Sequence, residues 1–304
     1  MDSLTRNKTF DIVRALCMLW IVGFWHLGDY IPIHKQLGGF GLYATNTVLA
    51  CFCFMSGYFI GKKNTNPKIF YIARLKRFYL LFFIACLTLF AIGWFDNVKH
   101  FLLSITGLSC FFLPQPRTIW FFCMMIVFYL ITPFLMLKES SYKNWFAYVR
   151  VAFFIVSFLA INQFHTMDLR VPMYFVYYSF GLLFPFTAMN ALLKKFKILL
   201  PTSMVAFLIL FVFRQFIVVQ IIAMFVGILL IVFVSNALNN LQSDIIRKLF
   251  SCLSYSSMCA YLFHRQIYTL FQYCFKENFS LVIALCSFCV ILLIGGGYRK
   301  LMIT

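Results

Sequence analysis

The sequence predicts an all-α fold: a polytopic membrane bundle of about ten transmembrane helices with both termini cytoplasmic. Three observations carry this. The 304-residue chain is 63% hydrophobic and 11% charged, with a mean hydropathy of +0.91. A soluble domain is about half apolar and about a quarter charged, so this chain has too few polar residues to coat a water-soluble globule. Apolar runs near the 20 residues needed to cross hydrocarbon recur along the whole chain. Lys and Arg collect in alternate short loops, as topology requires.

The predicted spans are 10–32, 38–61, 77–97, 118–137, 144–164, 171–190, 198–213, 215–235, 249–272 and 279–297. The first starts with Asp11 and Arg14 and lacks a small-residue cleavage site, so it reads as a retained helix. The seventh and eighth meet at a tight turn around Arg214-Gln215. The stretch 99–114 is too short and too punctuated by Ser104, Gly107 and Pro114 to be a span, and reads as an interfacial or re-entrant piece. Placing both ends inside puts Arg6, Lys8, Lys62, Lys63, Lys68, Arg74, Lys76, Arg77, Lys138, Lys143, Lys194, Lys195, Lys197, Arg247, Lys248, Arg299 and Lys300 on the cytoplasmic side. The outer side keeps only Lys35, Lys99, Arg117, Arg170, Arg214 and Lys276. One membrane-embedded domain, 1–304, is expected, with no appended soluble domain and no internal repeat.

The net charge of +18 does not point to nucleic acid. A nucleic-acid reader needs a polar basic face, whereas these cations sit in loops where topology and anionic headgroups account for them. The eleven cysteines lie mostly inside apolar runs and read as small hydrophobes. Cys286 and Cys289 form a C-x-x-C within the last span, without the other ligands a metal or redox site needs. No metal is expected.

Ionisable groups at membrane depth cost a few kcal/mol on insertion scales and are candidate functional residues. The first span carries Arg14 near its inner end and His26 near its outer end. Asp11 and Arg14 also fit a simple i,i+3 pair at the interface. In the second span, Ser56-Gly57 permits close helix approach. Arg74, Lys76 and Arg77 precede the third span and suit either the positive-inside rule or an anion site, since guanidinium forks bind phosphate. Trp120 opens the fourth span at the outer interface. In the ninth span Ser257, Tyr261 and His264 share one helical face.

Taken in order, these segments resemble acyltransferase family 3. That family's first helix carries an Arg followed by ten residues and a His. Its second helix ends in a phrase like F-F-x-x-S-G-F, and a basic stretch follows. Later come a Trp-led helix ending Y-x-x-x-P and a helix with S-x-x-x-Y-L-x-H. The counterparts here are Arg14 and His26, Cys53-Phe54-Met55-Ser56-Gly57-Tyr58, Arg74 to Arg77, Trp120-Phe121-Phe122 with Tyr129 and Pro133, and Ser257 with Tyr261-Leu262-Phe263-His264. The resemblance covers residues 10 to 270.

One departure stands out. Eleven residues, not ten, separate Arg14 from His26. At about 100° per residue the family spacing leaves the two side chains about 20° apart around the helix, and the spacing here about 120°. Either a π-bulge near Gly23 absorbs the extra residue, or the pair does not act together.

The resemblance implies transfer of an acyl group, usually acetyl, from cytoplasmic acetyl-CoA or another acyl-CoA to a sugar hydroxyl. The acceptor would be a cell-surface polysaccharide or its lipid-linked precursor. It implies an enzyme, a membrane-bound O-acyltransferase, multi-pass in a bacterial plasma membrane. His26 would be the general base and Arg14 would bind or polarise the donor. Arg74, Lys76, Arg77, Ser56 and Gly57 would hold the CoA donor, and Trp120, Ser257, Tyr261 and His264 would line the substrate path. The expected partners are acyl-CoA, a glycan or lipid-linked sugar, and membrane lipid. The competing class is a carrier or flippase for a lipid-linked sugar or anionic solute, which a similar basic and aromatic lining would suit.

Overall fold

The computed structural model describes all residues except 1–7, 32–36, 62–65, 113–115, 117, 137–142, 165–166, 242, 276–279 and 304. The described residues form helices and turns, with no strand among them. In chain order the helices are α1 (Lys8–Met18), α2 (Gly38–Gly61), α3 (Pro67–Arg74), α4 (Leu80–Ala91), α5 (Val98–Ile105), α6 (Trp120–Leu135), α7 (Lys143–Gln163), α8 (Arg170–Leu183), α9 (Phe186–Lys194), α10 (Phe196–Val212), α11 (Ile217–Leu241), α12 (Asp244–Phe275) and α13 (Leu281–Ile303). α1 runs on into a π-helical segment, Leu19–His26, and a 3₁₀ turn, Leu27–Asp29. A second π segment, Leu75–Tyr79, joins α3 to α4. The loop cations Arg6, Lys35, Lys62, Lys63, Arg117, Lys138 and Lys276 lie outside the described residues.

Among the described residues, four helical stretches are long and apolar enough to cross a membrane: Lys8–Asp29, Gly38–Gly61, Trp145–Gln163 and Ile217–Asn240. There are five if α8 and α9 count as one broken span. The predicted span 171–190 is therefore not one continuous helix. Phe184 is extended (ψ 122°) and Pro185 precedes a new helix, because the ring of a proline disfavours the helical conformation in the residue before it. The remaining predicted spans fall on the shorter apolar helices Leu80–Ala91, Trp120–Leu135, Phe196–Val212 and Leu281–Gly297, and on α12. α12 has 32 residues, and its Ser, Tyr, His and Arg content gives it an amphipathic character that these shorter apolar helices lack. The 99–114 stretch is a short helix, α5, followed by a 3₁₀ turn, Leu108–Phe111.

The chain divides into two compact units. One holds residues 1–52 and 185–304, the other 53–184, so α2 contributes to both. In the first unit α12 packs on α13 and α1, α1 on α11, and α10 on α11. Aromatic rings of Phe40, Tyr43, Phe207 and Phe211 interlock between α2 and α10, and the Tyr43 hydroxyl donates to the Phe207 carbonyl at 3.1 Å. The Trp20 indole donates to Thr45 at 3.0 Å, tying the π segment to α2. The predicted turn at Arg214-Gln215 is present, and the Gln220 side chain donates to the Arg214 carbonyl at 2.7 Å.

In the second unit α2 meets α8 backbone to backbone. A Cβ added at Gly57 would overlap the Tyr178 carbonyl, one at Gly61 the Leu182 carbonyl, and one at Gly181 the Phe54 carbonyl. Beside this crossing Tyr178, fully buried, bonds to Thr132 of α6. Apolar residues elsewhere face outward. The Trp145–Gln163 span is only 11% buried, with Trp145, Phe153 and Val156 exposed. Such a helix is suited to hydrocarbon rather than water.

Candidate active site

The first unit brings three of the predicted residues together. His26 ends the π segment of α1, and its ring stacks on His264 of α12, with centroids 4.7 Å apart and planes 2° from parallel. Tyr261 stands edge-on to both rings, at 6.1 Å from His26 and 5.7 Å from His264. His264 is fully buried, whereas His26 is half-buried. His264 Nδ1 lies 2.6 Å from the Tyr261 carbonyl oxygen. A carbonyl only accepts, so Nδ1 carries the hydrogen and the neutral ring keeps its lone pair on Nε2. That Nε2 is buried and has no hydrogen-bond partner among the described residues.

The π segment resolves the spacing between Arg14 and His26. It lies between them and contains Gly23. Closing i→i+5 rather than i→i+4 rings absorbs one residue, so the two positions return to within about 20° of each other around the axis. Wide turns free a carbonyl from the helical ladder, and here the Tyr268 hydroxyl donates to the Val22 carbonyl at 2.9 Å. Tyr268 is itself fully buried. Replacing Tyr268 by Phe is expected to cost about 1 kcal/mol of stability, read as a lower thermal midpoint.

Further ties hold the two His-bearing helices. Asp29, in the 3₁₀ turn after His26, forms an ion pair with Arg265, the neighbour of His264. The Tyr30 and Thr269 hydroxyls bond at 3.0 Å. None of these was singled out from the sequence. Their only signal was a carboxylate and a guanidinium each one turn or less from a candidate His. Ser257, predicted on the substrate path, is half-buried and spends its hydroxyl on the Ser254 carbonyl at 2.7 Å, within its own helix. Arg14 is half-buried on α1. Asp11, a turn before it, accepts from the Ser254 hydroxyl at 3.1 Å, a bond that the i,i+3 reading alone does not supply.

The second unit holds the other predicted residues. The Arg74 guanidinium lies 4.9 Å from the Tyr129 ring centroid and 5.4 Å from that of Phe70, so it is already engaged by aromatic faces. Lys76 is exposed, and the Arg77 side chain lies outside the described residues. Ser56 is half-buried, and Gly57 is filled by the α8 backbone described above. Trp120 opens α6 and receives the Arg170 guanidinium on its face at 4.0 Å. Arg170 is in turn held by Asp168. Partial burial alone would raise the Asp168 carboxyl, but the hydrogen bonds and charge of Arg170 hold it below its usual range. Thr118, two residues before Trp120, has φ +68°. A β-branched residue rarely adopts this backbone, and such strain concentrates at functional sites.

Comparison with known proteins identifies the family. The family model described as an acyltransferase domain, that of acyltransferase family 3, matches residues 7–297. No curated protein and no solved structure matches the chain. The match runs through both units. Together with its long apolar helices, it marks an integral membrane protein: the chain belongs to acyltransferase family 3 and is an acyltransferase.

Proposed function

We propose that the protein is an O-acyltransferase of a bacterial plasma membrane, crossing it about ten times with both termini cytoplasmic. It moves an acetyl or similar acyl group from acyl-CoA to a sugar hydroxyl of a surface polysaccharide or of its lipid-linked precursor. The observation that carries this reading is the stacked His26–His264 pair, with a half-exposed imidazole backed by a buried one of fixed tautomer.

A sugar hydroxyl is too weak an acid to attack a thioester unaided. Neutral imidazole is the base best suited to remove its proton near pH 7. In this mechanism His26, the more accessible ring, takes the hydroxyl proton as the oxygen bonds to the thioester carbonyl carbon. The C–S bond then breaks, and the departing sulfur receives the proton from His26. Arg14, roughly 15 Å or more along the helix from His26, is too far to meet the reacting carbonyl and binds another part of the donor. His264 positions the His26 ring, and Tyr261 borders the acceptor.

The test is mass spectrometry of the host's surface polysaccharide with and without the protein. A difference of one acyl group per modified sugar is the expected result. A polysaccharide unchanged in acylation but reduced in amount would instead identify a carrier of its precursor and overturn the reading.

A further inference from the structure

A cavity of about 360 Å³ lies in the second unit around the start of α5. Its volume falls in the range of small-molecule sites. Two of its lining residues carry buried polar atoms with no hydrogen-bond partner among the described residues, His100 Nε2 and Ser109 Oγ. Ser109 is 1% exposed, and the Cys123 thiol beside it donates elsewhere, to the Ser104 carbonyl at 3.4 Å. His100 is fixed on its other side. Its Nδ1 lies 3.3 Å from the Asp96 carboxylate, and its ring stands edge-on to Phe95. The carboxylate has no hydrogen to give, so the neutral imidazole carries its hydrogen on Nδ1 and keeps the lone pair on Nε2. The lining therefore combines an unused acceptor with a hydroxyl that can both donate and accept.

We propose that this cavity holds one sugar unit of a carbohydrate, bound through its hydroxyl groups. The chemistry of the lining selects that class. An apolar occupant would leave both buried atoms unsatisfied, at the full desolvation penalty of each. A phosphate or carboxylate offers only acceptors, which the Nε2 lone pair and the Asp96 carboxylate repel. A metal ion finds no group of three His, Cys, Asp or Glu side chains among the described residues. A sugar hydroxyl donates and accepts at once. One hydroxyl gives its hydrogen to His100 Nε2, and another pairs with the Ser109 hydroxyl. Leu103 and Phe112 supply an apolar wall for the C–H face of the ring. Asn97 spends its Oδ1 on the His100 amide at 2.8 Å and has its side-chain NH2 to offer at the exposed rim, beside Asp96 and Lys99. The His26–His264 site belongs to the first unit, so binding in this cavity requires neither the donor nor the acyl step.

The test reads the site locally. Purified full-length protein in phosphatidylcholine nanodiscs, free of glycoside detergent, is irradiated with a diazirine-bearing methyl glucoside, and labelled peptides are mapped by mass spectrometry. Saturable labelling within residues 96–112 is expected, displaced by excess methyl glucoside, methyl galactoside or methyl mannoside and not by inorganic phosphate. Ser109→Ala should raise the half-saturating concentration about 5-fold, the loss of one hydrogen bond. It should not lower the thermal midpoint, because the hydroxyl gives up no bond to the described residues. His100→Phe keeps a ring against Phe95 but removes both nitrogens, and should abolish displaceable labelling. Labelling that none of the three glycosides displaces would overturn the proposal. So would labelling that both substitutions leave unchanged. Displacement by phosphate would also overturn it and make the cavity an anion site.

Discussion

Replacing His26 by alanine is expected to lower acyl transfer by about 10²–10⁴-fold, the range that a positioned general base contributes. The measurement uses purified protein, labelled acetyl-CoA and a glycan acceptor. CoA affinity should stay at the wild-type value, because in the proposed mechanism the ring meets the acceptor hydroxyl rather than the nucleotide. The replacement leaves space beside His264 rather than forcing a clash, so the thermal midpoint should move little. His264→Ala should behave differently. That ring is fully buried between Tyr261 and Tyr268, and its loss leaves a cavity, lowering both stability and rate. His264→Gln retains a donor and an acceptor and should recover stability better than rate. Full transfer activity in His26→Ala would remove the base from the mechanism. Acceptor transport that persists in that variant without acetylation would favour a carrier.

Much of this site was legible from residue spacing along single helices. Tyr261 and His264 stand one turn apart on α12, and the i,i+3 relation alone placed them together. The eleven-residue gap between Arg14 and His26 signalled a wide turn because only a π segment restores the pair to one face, and Leu19–His26 is that segment. Spacing says nothing about which helix lies opposite, however. The stacking of His26 on His264, the Asp29–Arg265 pair and the Arg170–Trp120 contact all join distant positions. The cavity lined by Lys8, Asp11, Arg247 and Lys248 escaped for the same reason. Lys8, Arg247 and Lys248 each satisfied the positive-inside rule separately, and only the packing of α1, α11 and α12 gathers them. The broken span at 184–185 is another matter. Pro185 was in plain view, but averaging hydropathy over a 20-residue window conceals a single backbone constraint.

The other large effect is expected at the α2–α8 crossing, where Gly57→Ala and Gly181→Ala should each destabilise the second unit severely. Glycine at these positions lets two helices touch through their backbones. A methyl group at Gly57 would overlap the Tyr178 carbonyl and lie 2.8 Å from the Leu182 nitrogen, and one at Gly181 would overlap the Phe54 carbonyl and lie 3.0 Å from the Tyr58 nitrogen. Overpacking that a side chain can relieve costs about 1–3 kcal/mol. Here the obstacles are carbonyls inside α2 and α8, so relief requires the helices to separate, and each variant should reach or exceed the upper end of that range. Separation would also pull Tyr178 from Thr132 of α6, which spreads the damage across the unit. Thermal unfolding in detergent is the measurement, with Ser56→Ala as a neighbouring control that should shift the midpoint little. The same series decides what the Ser-Gly phrase of this family does in this chain. A glycine that serves helix contact loses stability and donor binding together on substitution. A glycine that approaches the donor directly would lose CoA affinity at an unchanged midpoint, and that outcome would return Gly57 to the binding site.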